Sequence, residues 1–476
     1  MPMSLAVAVL DKSGVNAVPK IIEALKTCIK TSNFGVASAS EFAVTKKVEL
    51  LAKKVASPAV LAFATSKSNK KPAVIKAEEK TAIFEGVAYA PKSTSILEMM
   101  RKDLGDDTVD AAKATIETVE GDYSLLIAEA NRIVAARDPL GMEPLYYGEN
   151  SQVAALSSNR KTLWLLGIES PTSFPPGNLA VVNREGFQFQ AVKVLNYSKS
   201  IPITLDDAVK KLQELLEQSV RLRVGGVRKV AVAFSGGLDS SIVAFLAKKC
   251  GVEVQLIHVS LENQHETEEA WKAAEELDLP LRVHLFKEAD VERVIYEVVA
   301  LIEEPDALKA SIGIPFYWAA EKAAESGYRV LLAGQGADEL FGGYQRYVNE
   351  YLMRGEENVR RTMYRDIVGA HESNIERDKK ICRFHDVELR LPFASYQIAE
   401  FALRLPIELK FEKSTDSSRK VVLRKTAESL GLSGEIFGKP KKAIQYGTGV
   451  TDALKRIAKR KRKTLAEYIG GLFLKC

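Results

Sequence analysis

Residues 235–241 read SGGLDSS, directly after an apolar run with strand character and directly before a run with helix character. Gly236 and Gly237 allow positive φ and close backbone approach. Ser235, Ser240 and Ser241 set hydroxyls beside the free N–H groups of a helix start, where the helix dipole favours an anion. An oligophosphate suits such a loop, which also includes Leu238. Asp239 would repel bare phosphate, so its carboxylate reads as one that meets phosphate through Mg2+. The loop holds no lysine, and the pattern GxxxxGK[ST] is absent from it, which argues against an ordinary γ-phosphate NTPase.

Residues 334–344 read GQGADELFGGY, after a second strand-like run. Gly334 and Gly336 let backbone approach a nucleotide, and Asp338 and Glu339 set two carboxylates at one strand end, a pattern suited to Mg2+. An Asp-Glu pair at a helix start serves equally as a helix cap when taken alone. Asp239 from the first loop and the 338/339 pair from the second together make one ATP site the expectation.

Those loops need a frame. Apolar strand candidates at 230–234, 252–259, 281–286 and 328–333 alternate with helical segments at 240–249, 266–277, 289–303 and 314–326. Such alternation implies βαβ crossovers and a parallel sheet, with ligands at the carboxyl ends of the strands. A helical pattern at 205–224 precedes this region, and a mainly helical stretch from 373 onward is expected to pack over the sheet and close the site. The first 195 residues differ, with short β-like runs and turn signals at 138–141 and 175–177, as in a mixed domain rich in antiparallel strands.

A chain of 476 residues suits two domains, set here at 1–195 and 205–476. With 46% hydrophobic and 27% charged residues it has an ordinary globular composition, and no apolar run is long enough to span a membrane. The opening residues carry no basic segment ahead of their apolar stretch, so a cytoplasmic location is expected. Cys28, Cys250, Cys382 and Cys476 are scattered and read as reduced thiols, not as a disulfide frame or zinc site. The net charge of +5 is modest. The basic cluster at 454–463 lacks interleaved aromatics and reads better as a solvated helix face than as a nucleic-acid surface.

Together the two motifs, about a hundred residues apart, resemble the synthetase domain of the asparagine synthetases, and the likeness runs over 205–450. SGGLDSS looks like the PP-loop of the ATP pyrophosphatases. The resemblance implies that Val259, Ala333 and Gly334 lie with ATP, and that Asp239, Asp338 and Glu339 lie at magnesium and pyrophosphate. LIEEPDA at 301–307 looks like the family segment before its SIGIPFYW helix. RFHDVELRLPF at 383–393 is similar to the family's AHxxEVRxPF, placing Glu388 among the catalytic candidates, although Glu388 and Arg390 serve as well as an architectural pair. His385 reads as a core histidine. KPKKAIQYG at 439–447 resembles the segment of the family's catalytic lysine and selects Lys441, between the basic neighbours Lys439 and Lys442. Such a lysine would neutralise charge on the α-phosphate and acyl oxygens.

The first domain resembles the family more weakly. Residues 121–148 look like the class II glutamine amidotransferase stretch carrying GD and RDPxGxxPLYY, on an N-terminal nucleophile hydrolase fold. Such enzymes use a terminal cysteine whose own amine acts as base. This chain begins Met1-Pro2-Met3-Ser4, and its first cysteine is Cys28. The NGEIYN segment aligns with EGVAYA at 85–90, without the glutamine-binding asparagine, and no match to the arginine-bearing segment is evident at 35–65. The expectation is a domain without glutaminase activity.

The expected fold is therefore α/β: an N-terminal nucleophile hydrolase-like α+β sandwich, then a doubly wound parallel-sheet PP-loop domain with a helical C-terminal part. The expected activity is an ATP- and Mg2+-dependent asparagine synthetase that forms β-aspartyl-AMP and amidates it with ammonia, either free or from a separate glutaminase. Partners are aspartate, ATP and ammonia, with a glutaminase subunit or a second copy as candidate protein partners; no membrane or nucleic acid is expected. Gln335, a further catalytic candidate, stands where the family usually has glutamate facing the acyl group, and Ser395 stands where it usually has aspartate. These departures leave open a ligase for another carboxylic acid, such as a β-lactam-forming synthetase. A noncatalytic ATP-binding regulator is the alternative of another class.

Overall fold

The computed structural model describes residues 5–26, 33–65, 72–90, 93–412, 419–437 and 447–476. The chain forms two compact units, Met1–Val194 and Leu195–Cys476.

The first unit is built from two antiparallel sheets. One has seven strands in the spatial order Thr172–Ser173, Tyr146–Glu149, Val153–Ser157, Leu5–Asp11, Ala59–Thr65, Asn33–Ala37, Phe42–Thr45. The other has six, ordered Gly186–Ala191, Asn178–Asn183, Ile133–Arg137, Glu120–Ala128, Lys80–Ala90, Ala73–Ala77. The period-two alternation of a strand decides which residues face where. Ala6, Ala8 and Leu10 join Leu126, Ala128 and Ala135 in the core between the sheets. Val7 and Val9 face the opposite way, against the helix Val18–Leu25. The helices Ser93–Asp106 and Thr108–Thr118 cover the outer face of the six-stranded sheet through Met100, Leu104, Ala112 and Ile116. The result is the expected sandwich, with sheet on sheet and helices outside.

The second unit carries a five-stranded parallel sheet, ordered Leu281–Phe286, Glu253–Leu261, Lys229–Ala233, Val330–Leu332, Glu388–Arg390. Val230, Ala231 and Val232 are all fully buried, so both faces of the central strand are covered, as a parallel sheet requires. The chain winds outward from Lys229–Ala233 first to one side and then to the other. The topological switch therefore lies between that strand and Val330–Leu332, where Ala231 pairs with Leu331 and Val232 with Leu332. In such sheets the crevice at the switch, beyond the carboxyl strand ends, takes ligands.

Two elements depart from the sequence reading. The edge strand Glu388–Arg390 falls in a region read as helical. It has three residues and no apolar run, and it pairs only through its neighbour Val330–Leu332. The helix expected from 314 spans Ala307–Glu325 and carries Pro315 inside it. Asp306 caps its start by accepting from Lys309 N, a stronger start signal than the internal proline is a stop.

The amphipathic helix Leu205–Val224 is capped by Thr204 and buries Ala208, Leu212, Leu216 and Val220 on one face. The late helix Val450–Arg460 buries Ala453, Leu454 and Ile457, while its basic residues are exposed. Arg456 and Arg460 pair with Glu288, and Arg460 also pairs with Glu292. Among the described residues, no helix is long and apolar enough to cross a membrane.

Candidate active site

The strand Lys229–Ala233 delivers the chain into the SGGLDSS loop, and the helix Leu238–Lys249 begins at Gly237, a cap position without a side-chain hydrogen bond. The first helical N–H groups therefore keep their capacity for an anion. Hydroxyls hold the loop's shape: Ser235 Oγ accepts from Gly237 N at 3.3 Å and lies 3.2 Å from Ser240 Oγ, which donates to Gly237 O at 3.1 Å. Gly236 has φ +72, and a Cβ on it would stand 2.7 Å from Ala270 Cα in the helix Glu266–Glu276. Glycine is required there by backbone conformation and by close packing.

His258 ties the same strand end to that helix. Its Nδ1 lies 2.9 Å from Phe234 O and its Nε2 3.2 Å from Thr267 Oγ1. A carbonyl can only accept, so Nδ1 carries the proton and the threonine hydroxyl donates to Nε2. Burial lowers the pKa of this histidine, which keeps it neutral.

The second motif meets the first directly. A Cβ on Gly334 would lie 2.7 Å from Asp239 Cβ and 3.1 Å from Ser240 N, so two neighbouring strand ends bring the motifs into contact. Gly336 and Gly342, at φ +91 and +74, bound the short helix Ala337–Phe341 that carries Asp338 and Glu339.

Lys420 unites the carboxylates. Its Nζ lies 2.6 Å from each oxygen of Asp239 and 2.8 Å from Asp338 Oδ1, with 4% of its side chain exposed. Lys420 adopts φ +60 at the start of the helix Val421–Ser429, a costly conformation for a residue with a Cβ. Burial lowers its pKa, and Asp239 opposes that shift. A Cβ on Gly343 would stand 1.8 Å from Asp338 Oδ1 and 2.5 Å from Lys420 Cε, so this glycine makes room for the pair. The site's centre is thus one cation facing carboxylates from two motifs.

The other predicted residues fall as follows. Glu339 is buried, and its Oε1 accepts from Tyr344 Oη at 2.7 Å and from Asn374 Nδ2 at 3.0 Å. Burial, and then Glu339, raise the pKa of Tyr344, which keeps it a donor. Gln335 donates from Nε2 to Asp378 Oδ2 at 2.7 Å. Leu238 and Ser241 are buried in the helix that leaves the SGGLDSS loop, and Val259 is buried near the end of Glu253–Leu261. Ala333 donates its N–H to Arg390 O at 3.3 Å.

Glu388 is not brought to this centre. It pairs in register with Val330, at the amino end of its strand, and accepts from Arg390 Nε at 2.5 Å. Arg390 also donates to Arg223 O, and Arg223 Nη2 donates to Ala394 O at 2.7 Å. These bonds tie Leu205–Val224 to the edge strand, the architectural alternative for the Glu-Arg pair. His385 sits against Tyr317, ring centroids 4.3 Å apart, where burial lowers its pKa to about 4. Lys441 lies outside the described residues, as do Lys439 and Lys442. Leu261 N donates to Thr448 O at 3.1 Å, at the carboxyl end of Glu253–Leu261.

Lys420, Asp378 and Tyr344 were missed by the sequence reading. Lys420 had one local signal: a lysine opening a helix works against the helix dipole, so its cost calls for a nearby anion.

Among the described residues, no group of three or more His, Cys, Asp or Glu side chains could hold a metal alone. Asp239 and Asp338 nevertheless converge on one cation, and Mg2+ in nucleotide sites takes one or two protein carboxylates and completes its shell with phosphate and water. The residues present fit Mg2+ brought with a nucleotide.

In the first unit, the turn after Ile133–Arg137 is held by two buried charges. Arg137 donates to Gly141 O, Glu143 O and Phe174 O, each at 2.7 Å. Asp138 accepts from Leu140, Met142 and Glu143 N–H groups. This arginine-aspartate pair shapes the turn. Glu85 is buried opposite Ser124, and Asp122 accepts from Tyr89 Oη at 3.1 Å.

Comparison with known proteins identifies the family of the chain. Residues 211–354 and 348–473 match the family model described as asparagine synthase, and residues 65–164 match a glutamine amidotransferase domain. The chain is 33% identical over 409 residues to a putative glutamine-hydrolyzing asparagine synthetase of Methanocaldococcus jannaschii, covering 75% of each chain. It is 28% identical to the asparagine synthetase of Triphysaria versicolor, covering 72% of this chain and 61% of the relative. It is 26% identical to a probable asparagine synthetase of Schizosaccharomyces pombe, over 72% of this chain and 67% of the relative. With two glycine-rich motifs meeting at the switch of a parallel sheet, and matches across the second unit, the chain belongs to the asparagine synthase family.

Proposed function

We propose that the second unit is an ATP-dependent amide ligase that adenylates aspartate and transfers the acyl group to ammonia. The observation that carries this reading is the convergence of Asp239 and Asp338, from two motifs, on the buried ammonium of Lys420 beside an uncapped helix start. A carboxylate is a poor electrophile. Its attack on the α-phosphorus forms an acyl–phosphate bond and expels pyrophosphate, and an amine then displaces AMP from the acyl carbon. The N–H groups after Gly237 and the hydroxyls of Ser235 and Ser240 hold the departing pyrophosphate. Lys420 offsets negative charge between phosphates and carboxylates, and the contact between Gly334 and Asp239 fixes the two loops relative to each other. Asp239 and Asp338 would hold Mg2+, which would supply charge neutralisation at the phosphates.

Ammonia is proposed as the nitrogen source because Glu85 stands in place of the family's glutamine-binding asparagine. A different carboxylic acid is the second reading, favoured by Gln335 and Ser395. One assay tests both: the protein with Mg·ATP, ammonia or glutamine, and a panel of carboxylic acids, following pyrophosphate and identifying the amide by mass. Pyrophosphate and asparagine from aspartate with ammonia are expected. Turnover with another acid alone would select the second reading, and no pyrophosphate with any acid would overturn the ligase reading.

A further inference from the structure

Gln335 follows Gly334 directly, one residue beyond the contact between the two motifs, and its Nε2 is committed to Asp378 Oδ2 at 2.7 Å. Asp378 is fully buried in the helix Glu376–Phe384. It accepts from Arg377 Nε at 2.8 Å and Arg377 Nη2 at 3.1 Å, and that arginine side chain is 1% exposed. Burial raises the pKa of Asp378, and Arg377 opposes the shift. A guanidinium does not give up its proton, so the bidentate pair keeps Asp378 a carboxylate.

That charge has a steric consequence. A carboxylate only accepts, so the amide of Gln335 must present its NH2 to Asp378 and turn Oε1 the other way. Oε1 has no hydrogen-bond partner among the described residues. The same helix also carries the buried charged groups Glu376, Lys379 and Lys380, and Cys382, whose thiol is pushed up by burial and by Asp378.

We propose that Asp378 is a positioning residue that locks Gln335 so that its Oε1 accepts a hydrogen bond from the amine nucleophile, which must therefore enter already unprotonated. This rests on the ligase reading above. An amide oxygen is too weak a base to take a proton from an ammonium ion, so Gln335 orients the nucleophile without activating it. In the step it serves, the nitrogen lone pair forms the C–N bond, the acyl C–O bond to phosphate breaks with its electron pair going to AMP, and one N–H proton leaves on the departing phosphate.

The test separates the two half-reactions by measuring acid-dependent ATP–pyrophosphate exchange and ammonia-dependent amide formation from pH 7 to 9. In the unaltered protein, amide formation at fixed subsaturating total ammonium should rise about tenfold per pH unit, following free ammonia, after correction for the exchange rate. Q335M leaves the Arg377–Asp378 pair intact and should lower amide formation at least tenfold more than it lowers exchange. D378N should do the same. The exchange of roles in Q335E/D378N restores the hydrogen bond with a carboxylate at 335 and should flatten the pH slope. Equal losses in both half-reactions for Q335M, or a slope unmoved in Q335E/D378N despite retained exchange, would overturn the proposal. Absence of exchange with every acid in the unaltered protein would instead remove the ligase reading, and the proposal with it.

Discussion

The ammonium of Lys420 lies 2.6 Å from both oxygens of Asp239, across 181 residues of sequence, and 2.8 Å from Asp338 Oδ1. A buried cation between two carboxylates cannot be removed without leaving like charges facing each other. K420M is therefore expected to destabilise the second unit by about 3–5 kcal/mol, the usual cost of stripping one partner from a buried ion pair. Pyrophosphate release should also fall about 100-fold or more. Thermal melting and a pyrophosphate assay read the two effects, and unchanged turnover would take Lys420 out of the chemistry.

Asp239 is the member of this cluster that the SGGLDSS loop itself supplies. D239N keeps the shape but removes the charge, and Lys420 keeps Asp338 as a partner. Pyrophosphate release should be abolished while circular dichroism reports a folded protein. Release at the unaltered rate would reject the assignment of Asp239 to the phosphate and magnesium site.

The two glycines of the loop are not equivalent. Gly236 has φ +72 and backbone of the helix Glu266–Glu276 at 2.7 Å from any Cβ, whereas Gly237 has φ −84 and meets only Ser235 Oγ at 3.3 Å. G236A must pay about 1–2 kcal/mol for its backbone conformation and also push back a neighbouring helix. It should raise the KM for ATP and lower the Tm. G237A should lower the Tm less, and the reverse order in a melting experiment would refute the packing argument.

His385 makes the acid limb of stability testable. Burial holds its pKa near 4, against an ordinary value of 6.5. Between those values the unfolded chain binds more protons than the folded one, so stability rises with pH through this window and is lost as pH falls from about 6.5 to about 4. This one group accounts for a loss on the order of 3 kcal/mol. H385F keeps a ring against Tyr317 and removes the titration. Urea melts at pH 7 and pH 4.5 should show a smaller difference in the variant than in the unaltered protein, and equal differences would place the acid sensitivity elsewhere.

Glutamine hydrolysis gives the last prediction. With Glu85 at the position of the glutamine-binding asparagine, glutamate release from glutamine should stay far below ammonia-dependent amide formation, with or without Mg·ATP. Release at a rate comparable to amide formation would reverse the assignment of ammonia as nitrogen source.

The shapes of both glycine-rich motifs were legible because their demands are local. SGGLDSS needs glycine for φ +72 at Gly236 and hydroxyls within a few residues to shape the loop, and those requirements stay on contiguous letters. The parallel sheet was legible for the same reason, since strands buried on both faces show as apolar runs such as 230–232. The edge strand Glu388–Arg390 was not, because three residues with alternating polarity carry no such run. His385, read as a core histidine, is partly buried against Tyr317. The Arg137–Asp138 turn looked like a functional motif, and the backbone bonds of both side chains explain its presence by shape.

By itself, then, the sequence determined where the glycine-rich loops form and which frame presents them, because turn chemistry and hydrophobic periodicity act between near neighbours. Only the tertiary structure decided which charges meet. Lys420 reaches Asp239 and Asp338, Gln335 reaches Asp378, and Glu388 pairs with Arg390. Such partnerships are chosen by burial, since a charge removed from water must find its counterion wherever the packed chain supplies one, and no local spacing records which residue that is.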